Sequence, residues 1–198
     1  LMELYDYIFR TFGLNIAQIL LTYRDFENDT ANENTRNTIN KLWEVDYIPI
    51  VNENDTVAVD EIKIGDNDTL AANITALIDA DLLVILSDVD GLYTSDPRAG
   101  GDCVLIEEVE KITPEIEAIA GGTWGVCGSG GMRSKIEAAK IATSSGVRMV
   151  IANAERPGVV TDAVAGRNVG TRFLSRAVSL NQRKRWIPKL LWKWCRQS

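Results

Sequence analysis

The sequence predicts an α/β fold, a three-layer sandwich in which helices cover both faces of a mostly parallel central sheet. Three observations carry that prediction. Short apolar runs alternate with stretches in which apolar residues recur every three or four positions, the order of strand and helix in a layered parallel sheet. Leu82 to Leu86 is apolar without a break, as a strand buried on both faces requires. Clusters of polar residues follow the strand ends, where open sheets of this class bind their ligands.

The elements follow in order. Leu1, Leu4, Ile8 and Phe12 form one apolar stripe, so residues 1–12 read as a helix that Gly13 stops, and Ile16 to Leu21 reads as a short buried strand. Ile39, Leu42 and Trp43 share a face of a helix over 34–44, and the apolar run Ile48 to Val51 ends in Asn52-Glu53-Asn54-Asp55. Leu70, Ile74, Leu77 and Ile78 mark a helix over 69–79, and the strand Leu82–Leu86 then runs into Ser87-Asp88. A short strand over 104–109 and a short helix over 113–119 precede a loop carrying Gly121, Gly122, Gly125, Gly128, Gly130 and Gly131. A helix from Met132 to Ser144, closed by Gly146, leads to the strand Met149 to Ala152. There is no internal repeat.

Composition narrows the chemistry. The 198 residues contain no histidine, which excludes Ser-His-Asp and Cys-His nucleophile systems, histidine zinc sites and imidazole proton shuttles built from this chain. Cys103, Cys127 and Cys195 are far apart and form no C-x-x-C pair, so neither a zinc knuckle nor a disulfide framework is expected, and a reducing cytoplasm is the simplest location. No apolar run reaches the roughly 18 to 20 residues that cross a bilayer. No signal peptide order is present, and the helical pattern is already under way at Leu1, which suggests a polypeptide that begins upstream. The net charge is −7, yet residues 181–198 hold six bases and no acid, so the body is more acidic than the whole and RNA binding by it is disfavoured. The tail interleaves those bases with Trp186, Trp192 and Trp194, a pattern open to RNA or membrane binding but more simply read as a linker.

Several constellations could carry chemistry. Gly128-Ser129-Gly130-Gly131-Met132-Arg133-Ser134-Lys135 joins a glycine loop to a helix start with a lysine in the first turn. Backbone N–H groups, the helix dipole and Lys135 make it a phosphate cradle in principle, and a capped surface turn is the alternative. It lacks the order G-x-x-x-x-G-K-[ST]. In Gly65-Asp66-Asn67-Asp68, Asp68 is either a helix cap or a functional carboxylate. Asn52-Glu53-Asn54-Asp55 offers amides and carboxylates to a zwitterion, or is a solvated loop. Asp88, in the run from Ser87 to Arg98, can organise a magnesium nucleotide or a ribose, or is one strand-end carboxylate. No G-x-G-x-x-G follows an early strand, which weighs against a dinucleotide oxidoreductase.

The joint order of IPIVNENDTVAVDEIKIGDNDTL, ADLLVILSDVDGLYTSDPR, the SGGMRSK loop, IANAERPGVV and RKRWI resembles the glutamate 5-kinases of the amino-acid kinase family. The likeness runs from about the first residue to Ile187, and Ser95-Asp96-Pro97-Arg98 resembles the stand-alone form rather than the form fused to a reductase. The resemblance implies an amino-acid kinase-like sandwich, incomplete at the N-terminus, that phosphorylates the γ-carboxylate of L-glutamate with ATP and Mg2+ in the first step of proline synthesis. It implies that Asp55 and Asn67 bind glutamate, that Asp68 organises the lysines around the transferred group, and that Ser87 and Asp88 belong to the ATP site. Ser129, Gly130, Gly131, Met132, Arg133, Ser134 and Lys135 would wrap the nucleotide phosphates, with Lys135 stabilising the transition state. No protein-held metal is assigned.

Ser129 and Ser134 stand where the family has Thr, and both keep the hydroxyl. Tyr23-Arg24-Asp25 and Asn32 to Arg36 also depart from the family pattern. The family's opening strand, with its glycine loop and second lysine, has no counterpart here, so the chain by itself is expected to be unstable and poorly active. Residues 1–175 are expected to form the kinase domain, and 176–198 a linker with the start of a PUA domain at Arg183-Lys184-Arg185-Trp186-Ile187. A homo-oligomer is a family expectation. The competing readings are a non-catalytic binding remnant and a family member with another acceptor.

Overall fold

The computed structural model describes residues 1–26, 29–54, 66–95, 103–121 and 131–175. They fall into two compact units, Leu1–Asn67 and a second that opens at Asp68.

The first unit contains α1 (Met2–Thr11), β1 (Asn15–Leu21), a 3-10 turn (Tyr23–Phe26), α2 (Asp29–Glu44) and β2 (Tyr47–Glu53). β1 and β2 pair in parallel, from Asn15 opposite Tyr47 to Leu21 opposite Glu53. Thr22 supports the turn after β1, donating to Asp25 Oδ2 from both its backbone N–H (2.6 Å) and its hydroxyl (2.8 Å). α2 turns Thr35 and Ile39 inward, one helical turn apart. This helix starts earlier than the apolar pattern predicts, because the polar run from Asp29 gives no apolar stripe to read. β2 is longer than predicted: Asn52 and Glu53 lie in the strand, and Asn54 N–H donates to the Leu21 carbonyl at 2.8 Å. Half of the NEND cluster is therefore strand rather than loop.

The second unit is built on α3 (Asn67–Leu77), β3 (Leu82–Ser87), β4 (Glu108–Val109), α4 (Pro114–Ala120), α5 (Met132–Ser144), β5 (Arg148–Asn153), α6 (Val159–Val164) and β6 (Gly170–Phe173). Its strands run in the order β3-β5-β6-β4. β3 lies parallel to β5 and β4 parallel to β6, whereas β5 and β6 are antiparallel. Among the described strands the pairing is thus mostly parallel, as predicted.

Alternation along β3 explains its unbroken apolar run. Leu83 and Ile85 enter one core with Met132, Ile136, Ala139, Met149 and Phe173, while Leu82 and Val84 face a second with Val150, Val159 and Ala163. Each fully buried large side chain, such as Ile136 or Phe173, contributes roughly 1.5–3 kcal/mol from apolar burial. α5 keeps its predicted bounds, because Met132, Lys135, Ile136, Ala139 and Ala142 recur at the helical period on its inner face.

α6 and β6 have no counterpart among the predicted elements, and the strand expected over 104–109 is only two residues long. β6 depends on close approach: a Cβ at Gly170 would strike the carbonyls of Ile151 and Asp90. Next to it, the buried Thr171 hydroxyl accepts from Leu92 N–H and donates to the Ile106 carbonyl, both at 2.7 Å. The expected linker at 176–198 lies outside the described residues.

Candidate active site

Asp68 sits in the first turn of α3, and Ser134 and Lys135 in the first turn of α5. The structure brings these three together. Lys135 Nζ lies 2.9 Å from Asp68 Oδ2, and Ser134 Oγ lies 3.0 Å from the same oxygen. Ser134 Oγ is also 2.8 Å from the Gly131 carbonyl, so its single proton is shared between two acceptors. The Lys135 and Asp68 side chains retain only 9% and 16% of their exposure. Each charge is largely removed from water, so the pair interacts more strongly than an exposed one.

The reason is local. Lys135 lies on the buried stripe of α5, so its methylene stem packs inward and its ammonium emerges toward the N-terminal end of α3. Asp68 thus engages α5 from the first turn of α3. The N-cap of α5 is Gly131, and among the described residues no side chain caps that helix, so the partial positive charge of its first turn can favour an anion. Met132 is buried beneath this turn and Arg133 is exposed on it. Ser129 and Gly130 lie outside the described residues, as does Asp55. Asn67 opens α3 as an exposed residue.

Ser87 ends β3 opposite Asn153, the last residue of β5, and its hydroxyl donates to Asp88 Oδ1 at 3.1 Å. Asp88 is exposed. Two residues on, Asp90 accepts from Asn153 Nδ2 at 2.9 Å and from the Tyr93 hydroxyl at 2.8 Å. These bonds, that from Asn153 foremost, hold the Asp90 carboxyl below the usual carboxylate range, while the Asp90 bond pushes the Tyr93 phenol up. Sequence reasoning missed Asn153 and the part played by Asp90. Asn153 directly follows the predicted strand Met149 to Ala152; its position opposite Ser87 follows only from the register.

Among the described residues no three His, Cys, Asp or Glu side chains gather as a metal centre. No helix among them is long and apolar enough to cross a membrane.

Comparison with known proteins fits this picture. The chain is 48% identical over 189 residues to glutamate 5-kinase 2 of Bacillus licheniformis, a match covering 94% of this chain and 51% of that protein. It is 50% identical over 173 residues to the glutamate 5-kinase of Clostridium tetani, covering 87% and 65%. The chain thus spans about half the length of most of the curated relatives it matches. Among solved structures, carbamate kinase from Giardia lamblia bound to AMP-PNP superposes with a TM-score of 0.58 at 19% identity, covering 86% of this chain and 66% of that one. The isopentenyl phosphate kinase of T. acidophilum gives 0.55 at 18% identity, covering 83% and 62%. At such identities the likeness concerns the fold alone. The amino acid kinase family model matches residues 1–153 of the 198, and with helices flanking a mostly parallel sheet, the chain belongs to that family.

Proposed function

We propose that the protein containing this chain transfers the γ-phosphoryl group of ATP to the γ-carboxylate of L-glutamate, giving γ-glutamyl phosphate, the first step of proline synthesis. The observation that carries the proposal is the Asp68–Lys135–Ser134 cluster at the meeting of two helix N-terminal turns. Phosphoryl transfer requires positioning and concentrated positive charge more than proton transfer, and a carboxylate nucleophile has no proton to lose. A chain without histidine is suited to it.

In this reading the N-terminus of α5 and the Lys135 ammonium stabilise charge that develops on the transferred group. Asp68 orients Lys135, and Ser134 ties the turn to Asp68. Asp55 and Asn67 hold glutamate, Ser87 and Asp88 serve the nucleotide, and Ser129 and Gly130 complete the phosphate loop with Gly131, Met132 and Arg133. Magnesium, when bound with the nucleotide, would neutralise phosphate charge, and Asp88 is the residue that would organise it. A cytoplasmic location, a homo-oligomeric full-length protein, a kinase domain over 1–175 and a linker over 176–198 belong to the same proposal. The names of the curated relatives support it.

The test offers glutamate, aspartate, acetylglutamate and UMP separately to the full-length protein and follows ATP consumption. Glutamate is the expected acceptor, and preference for any other would overturn the assignment.

A further inference from the structure

We infer that Asp90 is a positioning residue that latches the loop leaving β3 to the end of β5 and so holds Ser87 and Asp88 in place for the nucleotide. The inference rests on the proposal that Ser87 and Asp88 serve ATP.

Because β3 and β5 are parallel, both deliver their carboxyl ends to the same edge of the sheet, with Ser87 opposite Asn153. The last backbone link between them is Ala154 N–H donating to the Ser87 carbonyl at 2.8 Å. Beyond it the two chains diverge, and side chains take over. Asn153 Oδ1 accepts from Glu155 N–H at 2.9 Å, on its own loop, while Asn153 Nδ2 donates to Asp90 Oδ1, on the other. That network fixes the amide's orientation: turned over, it would set its NH2 against an N–H and its oxygen against a carboxylate. The second Asp90 oxygen accepts from Tyr93, closing the turn on itself.

The inner side of the same turn is held as well. A Cβ at Gly91 would strike the Thr171 hydroxyl, and Leu92 N–H donates to that hydroxyl. The segment from Asp90 to Tyr93 is therefore pinned from two sides, and Asp88 lies between it and the strand. Asp90 has both oxygens committed to neutral donors, whereas Asp88 is exposed at the strand end. The two aspartates divide the work: one shapes the loop, the other meets the ligand.

The test compares Asp90→Ala, Asp90→Asn and Asn153→Ala in the full-length protein, with KM for MgATP, KM for glutamate, kcat and thermal midpoint measured for each. Asp90→Ala and Asn153→Ala are each expected to raise KM for MgATP about 5- to 10-fold with kcat within about twofold, and the double variant to resemble the single ones. Asp90→Asn keeps both links, since its oxygen can accept from Asn153 and its NH2 can donate to the Tyr93 oxygen; it should stay within about twofold of the parent. Equal damage from Asp90→Asn and Asp90→Ala would make Asp90 a direct ligand and overturn the latch. No change in KM for MgATP, or equal losses in every parameter, would overturn it too. Should the parent protein use another acceptor, direct titration with MgATP still reads the latch, so failure of the function and failure of the latch give different results.

Discussion

Asp68 and Asp90 each accept from two side chains, Ser134 and Lys135 in the first case, Asn153 and Tyr93 in the second. The first carboxylate is largely buried and faces a buried ammonium; the second is exposed and, among the described residues, accepts from neutral donors. The difference teaches where this fold concentrates its electrostatics. A charge pair screened from water interacts strongly and leaves a costly remnant when split. A surface carboxylate with hydrogen-bonding neighbours gains little free energy but fixes a loop's shape. One cluster concentrates charge, the other fixes geometry.

Breaking the buried cluster should have the largest consequence. Lys135→Ala in the full-length protein is expected to lower kcat by roughly 10^3-fold, the scale seen when a donor to a developing charge is removed. Steady-state kinetics with ATP and glutamate measures this, and a loss below about tenfold would remove Lys135 from the chemistry. Asp68→Ala leaves the ammonium buried without its carboxylate, so unfolding in urea should show a loss of about 3 kcal/mol. A loss no greater than that of a typical surface ion pair, under about 1 kcal/mol, would erase the contrast between the two aspartates.

The smallest effect sharpens the comparison through pH. The Asp90 carboxyl is held below its ordinary range by Asn153 and Tyr93, so it stabilises the fold above the unfolded-state value near 3.9 and loses that contribution as pH falls through its lower folded value. The thermal midpoint of the parent should therefore exceed that of Asp90→Asn by a small constant margin at neutral pH, and the margin should close below about pH 4. A margin that widened in acid would reverse the sign and contradict the hydrogen bonds assigned to Asp90.

Where periodicity was long, the sequence was readable. α5 shows its buried face over 13 residues, and the unbroken apolar run of β3 marks a strand that packs Leu83 and Ile85 on one face and Leu82 and Val84 on the other, although β3 ends the order of the described strands. The Lys135 and Asp68 positions could be singled out because each stands in the first turn of a helix beside a polar or glycine-rich loop. Their 2.9 Å contact could not be read, since it joins residues 67 positions apart. β6 escaped for another reason. It is four residues long, opens with glycine and runs antiparallel to β5, and its place depends on bare backbone packing against Ile151 and Asp90 rather than on an apolar pattern of its own. Asn153 was hidden by register, which sequence spacing does not encode.

The Thr171 hydroxyl has a consequence for the dynamics of the second unit. A single hydroxyl on a residue with zero exposure satisfies the Leu92 amide and the Ile106 carbonyl, tying to β6 two segments that Ile106 N–H already joins through the Leu92 carbonyl. The Leu92 amide is buried and bonded to that hydroxyl, so its deuterium exchange reports how often the turn and β6 come apart.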